Sequence, residues 1–249
     1  LSATSFFTDV SSEMIFPILP IFLRNVLGAS FVMIGLIEGI AEGLASILKY
    51  FSGYFSDLTR RRKGLTLLGY GLSAVSKLFF ALAASPLTIL FFRSLDRIGK
   101  GVRTSPRDAL IAESVSEHER GKYFGFHRAS DTAGAVLGTL IAVALLYYFQ
   151  SIIDGSDLIA RAIRPILLLS FIPALIGVLL LFFVREISDG SRVVTRKRLF
   201  AFGKFSKKFK LFLAVVTLFG LANYSYSFYI LRANDLGMAL FLIPLIYLI

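Results

Sequence analysis

Four groups of ionisable residues lie where lipid would not tolerate them. Asp9 and Glu13, then Glu38, Glu42 and Lys49, then Arg93, Asp96, Arg97 and Lys100, and finally His127, Arg128 and Asp131 all fall inside stretches otherwise rich in Leu, Ile, Phe, Ala and Gly. A charged side chain in the hydrocarbon costs about 2.5–3.5 kcal/mol on insertion scales, so such groups face a bundle interior or an aqueous cavity. The spacings of three, four and seven place each group on one helical face. The chemistry available to them is proton and ion handling. A carboxylate gains and loses a proton as its surroundings change, and a guanidinium pairs with it or holds a substrate. The same residues also read as mutual ion pairs that only fasten helices together. Catalysis has little to work with, because there is no Cys and only two His, His118 and His127, neither beside a ligand-like neighbour. No catalytic residue, metal site or cofactor is expected.

The elements that must position these residues follow from the apolar runs. The chain is 56% hydrophobic and 14% aromatic, with mean hydropathy +0.74, well above what a soluble core needs. Charged or turn-forming breaks mark spans over 2–24, 31–57, 64–84, 87–106, 120–149, 164–185 and 209–231, with an eighth opening near Leu236. The fold class expected is an all-α polytopic membrane protein. A six-helix bundle over 1–185 and a basic linker over 186–208 lead into the first one or two helices of a second bundle over 209–249. Leu1 opens directly in apolar sequence without a basic leader, and 236–249 is short of a span, so the chain reads as a piece of a longer one.

Basic residues give the orientation. Arg60, Arg61, Arg62 and Lys63 follow the second span, Arg103, Arg107, Arg120 and Lys122 the fourth, and eight Lys and Arg from Arg192 to Lys210 the sixth. The alternate connections carry Arg24, none at Ser85–Pro86, Arg161 with Arg164, and Arg232. The N-terminus is therefore expected in the cytoplasm, the protein in the cell (inner) membrane as a multi-pass monomer. Topology accounts for the net charge of +11, so no nucleic-acid partner is expected. At about 1.5 Å per residue, Glu13, Glu42, Asp96 and Arg97 fall near the midplane. Asp131 lies slightly to the cytoplasmic side, and Glu38 and Arg93 lie toward the outside. Asp9, Lys49, Lys100, His127 and Arg128 lie toward the inside. Spans 1, 2, 4 and 5 read as cavity walls and spans 3 and 6 as outer supports, with Lys77 packing against an acid. Pro17 and Pro20 predict a bend in the first span, and Gly134 and Gly138 a close helix approach in the fifth.

The run Gly53-Tyr-Phe-Ser-Asp57-Leu-Thr-Arg60-Arg61-Arg62-Lys63 resembles the signature of the major facilitator superfamily between its second and third helices, Gly-x-x-x-Asp followed by a basic cluster. Arg60 stands where the second glycine is usual. Arg93, Gly99 and Gly101 are in register with the family's arginine and spaced glycines on the fourth helix, with Asp96 and Arg97 where many members have Gln and Gly. Arg97-Ile-Gly-Lys-Gly-Val-Arg-Thr-Ser-Pro-Arg-Asp108 and Arg120-Gly-Lys-Tyr-Phe-Gly-Phe-His-Arg128 are similar to a little-described prokaryotic branch.

The resemblance implies twelve spans in two bundles working by alternating access, with Gly53, Asp57, Arg61 and Arg62 at a cytoplasmic gate. Lys100 and Arg128 are grouped with that gate. The Gly-Pro motif of drug–proton antiporters is absent, since the fifth span reads Gly134-Ala-Val-Leu-Gly138-Thr139. The expected function is a proton-coupled carrier of a small anionic or polar solute. Multidrug or metabolite efflux is the alternative, and a membrane-embedded enzyme or a structural membrane module are remoter ones. Expected partners are a small-molecule substrate, protons and the lipid bilayer. Glu13, Glu42, Arg97, Asp96, Asp131, Asp9, Glu38 and Arg93 are the candidate substrate and coupling residues.

Overall fold

The computed structural model describes residues 1–153, 158–186, 205–221 and 225–248. In order these form α1 (Ser2–Ile15), α2 (Leu19–Ile21), a π-helical turn (Phe22–Val26), α3 (Phe31–Thr59), α4 (Arg62–Ala81) and α5 (Pro86–Glu113). They continue with α6 (Arg120–Ile152), α7 (Leu158–Leu169), α8 (Phe171–Phe182), α9 (Lys207–Leu221), α10 (Ser227–Asp235) and α11 (Ile243–Ile246). No strand occurs among the described residues. Most of the stretch read as a linker lies outside them.

Local chemistry sets the helix starts. Ser30 caps α3 by accepting from the Met33 N–H at 3.2 Å, and Ser85 caps α5 in the same way from Thr88, with Pro86 just inside the helix. Five described segments are long and apolar enough to cross a membrane. Helix α5 has the length, 28 residues, and not the composition. It is tolerated because α3 and α4 pack along it and cover its polar face.

The first span breaks where its prolines predict. Ile15 ends α1, Pro20 opens α2, and the chain then widens into the π-turn, where the Leu27 N–H reaches the Phe22 carbonyl at 3.1 Å. Ile15, Ile18, Leu19, Ile21, Phe22 and Leu23 around this break are all sealed from solvent. With Ile34, Ile37, Phe80, Ile89, Ile163 and Ile166 they form an apolar core that plugs one end of the bundle.

Four elements depart from the expected bounds. The fourth helix runs past Pro106 to Glu113, so Arg103 and Arg107, expected in a connection, sit inside a helix. The reason is Ser52 of α3, whose hydroxyl donates to the Val102 carbonyl, the group that Pro106 leaves without an N–H partner. The sixth span divides at Ser170, whose carbonyl accepts from Ser11 of α1 at 2.5 Å. Within the seventh span the described residues form two helices, with Ser225 and Tyr226 outside both. Helix α9 ends at Leu221 and α10 begins at Ser227, and the expected opening of an eighth helix near Leu236 is instead a turn at Gly237 (φ +77°) before the short α11.

Side-chain ties show which connections share an end. Arg62, after α3, forms an ion pair with Glu113 at the end of α5, and its backbone N–H donates to Glu186, beyond α8, at 2.7 Å. At the opposite end Arg164 of α7 donates to the Ala81 and Ala83 carbonyls at 2.6 and 3.1 Å. The connections after the second, fourth and sixth spans are thus together, as alternate crossing requires.

Helix α1 is gripped by glycines. A Cβ at Gly134 would meet the Phe6 carbonyl oxygen at 2.5 Å, one at Gly138 would run into the Val10 backbone, and one at Gly177 of α8 would meet Thr8 Oγ1 at 2.8 Å. These are the close approaches that small residues permit in lipid. Gly138→Leu should therefore separate α1 from α6 and cost about 1–3 kcal/mol or more, read as a lower unfolding temperature or loss of a monodisperse peak. Gly125→Leu on the same helix, where a Cβ would meet nothing within 4 Å, should leave both unchanged.

Candidate functional site

The site is built in two layers, one paired and one open. In the paired layer Arg93 of α5 is completely buried and donates to Glu38 of α3 at 2.9 Å. Asp96 lies 3.9 Å from Arg93 and 3.8 Å from Arg97, and Arg97 reaches Glu42 at 3.3 Å. Both guanidiniums stack on the ring of Phe16, at 4.1 and 4.5 Å from its centre. Phe16 is the residue at which α1 stops, so the proline break sets an aromatic lid on the two arginines. Tyr226 and Tyr247 lie ring to ring at 4.6 Å just beyond, and the Tyr247 phenol engages Glu13.

The open layer is a cavity of about 440 Å³ walled by α1, α3, α5 and α6, the four elements singled out by their charge stripes. Its carboxylates are Asp9, Glu13, Glu42 and Asp131, and its cations are Lys49, Lys100, Arg103, Arg107 and Arg128. Asp131 has His127 and Arg128 at 3.7 Å each. Arg103 donates to Ser73 at 2.6 Å and lies over Tyr70, and Arg107 donates to Ser5 at 3.0 Å and to Asp108 at 2.9 Å. Asp9 and Glu13 have no ion-pair partner within 4.0 Å among the described residues, and one Glu13 carboxylate oxygen is buried without a hydrogen bond.

Lys77 departs from expectation. Its ammonium is fully buried and donates to the Thr8 carbonyl at 3.2 Å and the Ser12 hydroxyl at 2.9 Å. Its partners are neutral groups on α1, whereas an acid was expected. The third span therefore reaches into the centre of the bundle.

At the end shared by the even connections, Gly53 of α3 lies against Ser105 of α5. Arg62 pairs with Asp57 at 3.4 Å as well as with Glu113, and Lys63 donates to the Phe182 carbonyl at the end of α8 at 3.1 Å. Arg61 is the exposed residue before α4. Arg60 caps α3 with φ 54°, the left-handed conformation that glycine adopts freely, which accounts for the glycine usual in the signature. Lys100 and Arg128 line the cavity instead. Sequence reasoning missed Arg103, Arg107, Glu113, Glu186, Phe16, Tyr226 and Tyr247. For Arg103 and Arg107 the signal existed, since they continue the three-and-four spacing of the stripe on α5 through Pro106.

The Major Facilitator Superfamily profile matches residues 1–249. The chain belongs to this superfamily. Superfamily relatives include an uncharacterised MFS-type transporter of Methanocaldococcus jannaschii, 40% identical over 96% of this chain and 56% of that protein. The multidrug resistance protein MdtH of Photorhabdus laumondii is 31% identical over 54% of this chain and 33% of its own length. A bacterial homolog of the human lysosomal transporter Spinster, inward-facing and occupied, superposes with TM-score 0.63 at 20% identity over 76% of this chain and 44% of that one. The inward-open xylose transporter XylE of E. coli superposes with TM-score 0.59 at 21% identity over 75% and 47%. These structures share the MFS fold, and the chain spans about half the length of the curated relatives it matches.

The two layers predict different responses to neutralisation. Glu38→Gln strands the buried Arg93 charge and should cost about 3–5 kcal/mol of stability. Glu42→Gln removes a carboxylate that is 57% exposed and should cost under about 1 kcal/mol. Chemical unfolding of the two variants in detergent measures both.

Proposed function

We propose that this chain is the amino-terminal part of a secondary active transporter that carries a small anionic or polar solute by alternating access, coupled to protons. The observation that supports this reading best is the cavity lining, in which nine of fifteen residues are charged and none is aromatic. Its volume of about 440 Å³ is that of a small-molecule site. Acids that line the cavity, two of them paired with a cation at its edge and two without an ion pair, are where a proton can come and go, and the surrounding Lys and Arg favour negative charge on the solute. Asp9, Glu13, Glu42 and Asp131 are then the proton-handling candidates. Arg97, backed by Asp96, is the substrate-facing cation, and Glu38 and Arg93 hold it in place. Gly53, Asp57, Arg61 and Arg62 would close the cytoplasmic end as the halves meet.

The MdtH similarity lends some weight to multidrug efflux. The cavity lining weighs against it, because lipophilic drugs need aromatic and aliphatic walls and the lining has no aromatic residue and only Ala45 and Ala135 as aliphatic ones. No cofactor or nucleic-acid partner enters this scheme, and a monomer suffices.

The test is proton movement in liposomes holding the complete protein, on addition of organic anions, ferric chelates, sugars or drugs. A polar or anionic solute should move protons in a pH-dependent way, and solute flux with no proton movement would contradict the coupling.

The topology proposed with it places 1–185 as one bundle with a cytoplasmic N-terminus in the inner membrane, and 209–249 as the start of the second bundle. These 249 residues contain no Cys, and once any elsewhere in the complete protein are replaced, single cysteines report cleanly. Arg61→Cys should resist an impermeant maleimide in intact cells, and Ser85→Cys should react with it. The reverse pattern would invert the orientation.

A further inference from the structure

Among the described residues, the buried Arg97 has a partner that opens to the cavity. Its guanidinium is fixed on two sides, with Nε 3.8 Å from Asp96 and without a hydrogen bond, and its face on Phe16 at 4.5 Å. The third side meets Glu42 at 3.3 Å, and there the burial changes abruptly, since the Arg97 side chain is 3% exposed and the Glu42 side chain 57%. Glu42 is a cavity wall residue, so anything that reaches the cavity can reach the outer edge of this pair. The neighbouring pair is closed by contrast, because Arg93 and Glu38 are both buried and hydrogen-bonded at 2.9 Å.

Other charges face Glu42 from each wall. Lys100 stands on α5 and Lys49 on its own helix, Asp9 and Glu13 come from α1, and Arg128 and Asp131 from α6. When Glu42 loses its charge, the edge of Arg97 is left empty, and the excess of five cations and Arg97 over the carboxylates grows as those fall from four to three. A guanidinium edge is shaped to take a carboxylate through paired N–H donors.

We propose that Glu42 and Arg97 form an exchangeable ion pair in which the carboxylate of a small monocarboxylic acid replaces the protonated Glu42 side chain. This rests on the carrier reading above and names its substrate class. Glu42 takes a proton from cavity water and its neutral acid withdraws from Arg97. The substrate carboxylate then occupies the vacated edge. One proton and one anion enter together, the net charge of the site is unchanged, and the reverse order releases both on the other side. The cycle is electroneutral symport.

The test uses the complete protein in liposomes with radiolabelled lactate and benzoate as probes, and phosphate and glucose as comparators. Wild-type protein should accumulate at least one monocarboxylate under an inside-alkaline gradient, without response to a valinomycin-set potential. Its binding should weaken by about tenfold per pH unit once Glu42 is ionised. Glu42→Gln should bind the same probe without that pH dependence, still exchange it across the membrane and fail to accumulate it, and Glu42→Asp should retain accumulation. Accumulation by Glu42→Gln, dependence on potential, or wild-type transport of neither monocarboxylate overturns the inference. Coupling to phosphate or glucose alone overturns it while leaving the carrier reading intact, and no proton-linked flux of any solute removes the carrier reading as well.

Discussion

A guanidinium with no solvent-exposed surface in the middle of a membrane bundle exists only with carboxylates beside it, and Arg93 imposes that condition on its neighbours. Glu38 must come from α3 and Asp96 from the next turn of α5. These contacts fix the register of α3 against α5. Gly101 allows the approach, since a Cβ there would meet the Ala45 carbonyl oxygen at 2.8 Å. Once α5 is held in this way its polar length is screened from lipid. Helix α5 can then carry Arg97, Lys100, Arg103 and Arg107 down one face, toward the end where the even connections meet.

The second condition is the position of α1. Pro17 stops the helix at Phe16, whose ring covers Arg93 and Arg97, and the residues around the break build the apolar plug. Below the break Asp9 and Glu13 face the cavity, and Lys77 of α4 ties the same turn of α1 through Thr8 and Ser12. Glycines of α6 and α8 let α1 lie between those helices almost backbone to backbone. One helix thus closes one end of the bundle, lids the arginines and supplies carboxylates to the open side. A shift of α1 would change all three together.

Much of this was legible in the sequence because helical spacing is a geometric fact. Glu38 and Glu42 one turn apart, and Arg93, Asp96, Arg97 and Lys100 along one stripe, mark α3 and α5 as cavity walls without any structure. Tertiary contacts are what spacing does not contain. Pro106 reads as a stop until Ser52 is seen to satisfy the carbonyl it frees, and so Arg103 and Arg107 passed as loop charges. Lys77 reads as a partner for an acid, yet a carbonyl and a hydroxyl on α1 hold it. Which acid pairs with which arginine is decided by the placement of Phe16 and by burial. These separate Glu38, locked away, from Glu42, open to water.

The proposed function requires protons to move through the carboxylates that line the cavity, Glu42 among them, while the buried Arg93–Glu38 pair stays charged. Infrared difference spectroscopy of the complete protein, recorded as pH is lowered, reads this directly through the carbonyl stretch of newly protonated carboxyls. The account predicts a pH-dependent band that persists in Glu38→Gln and is diminished in Glu42→Gln. A band that persists unchanged in Glu42→Gln and vanishes in Glu38→Gln would place the titrating proton in the buried pair and contradict it.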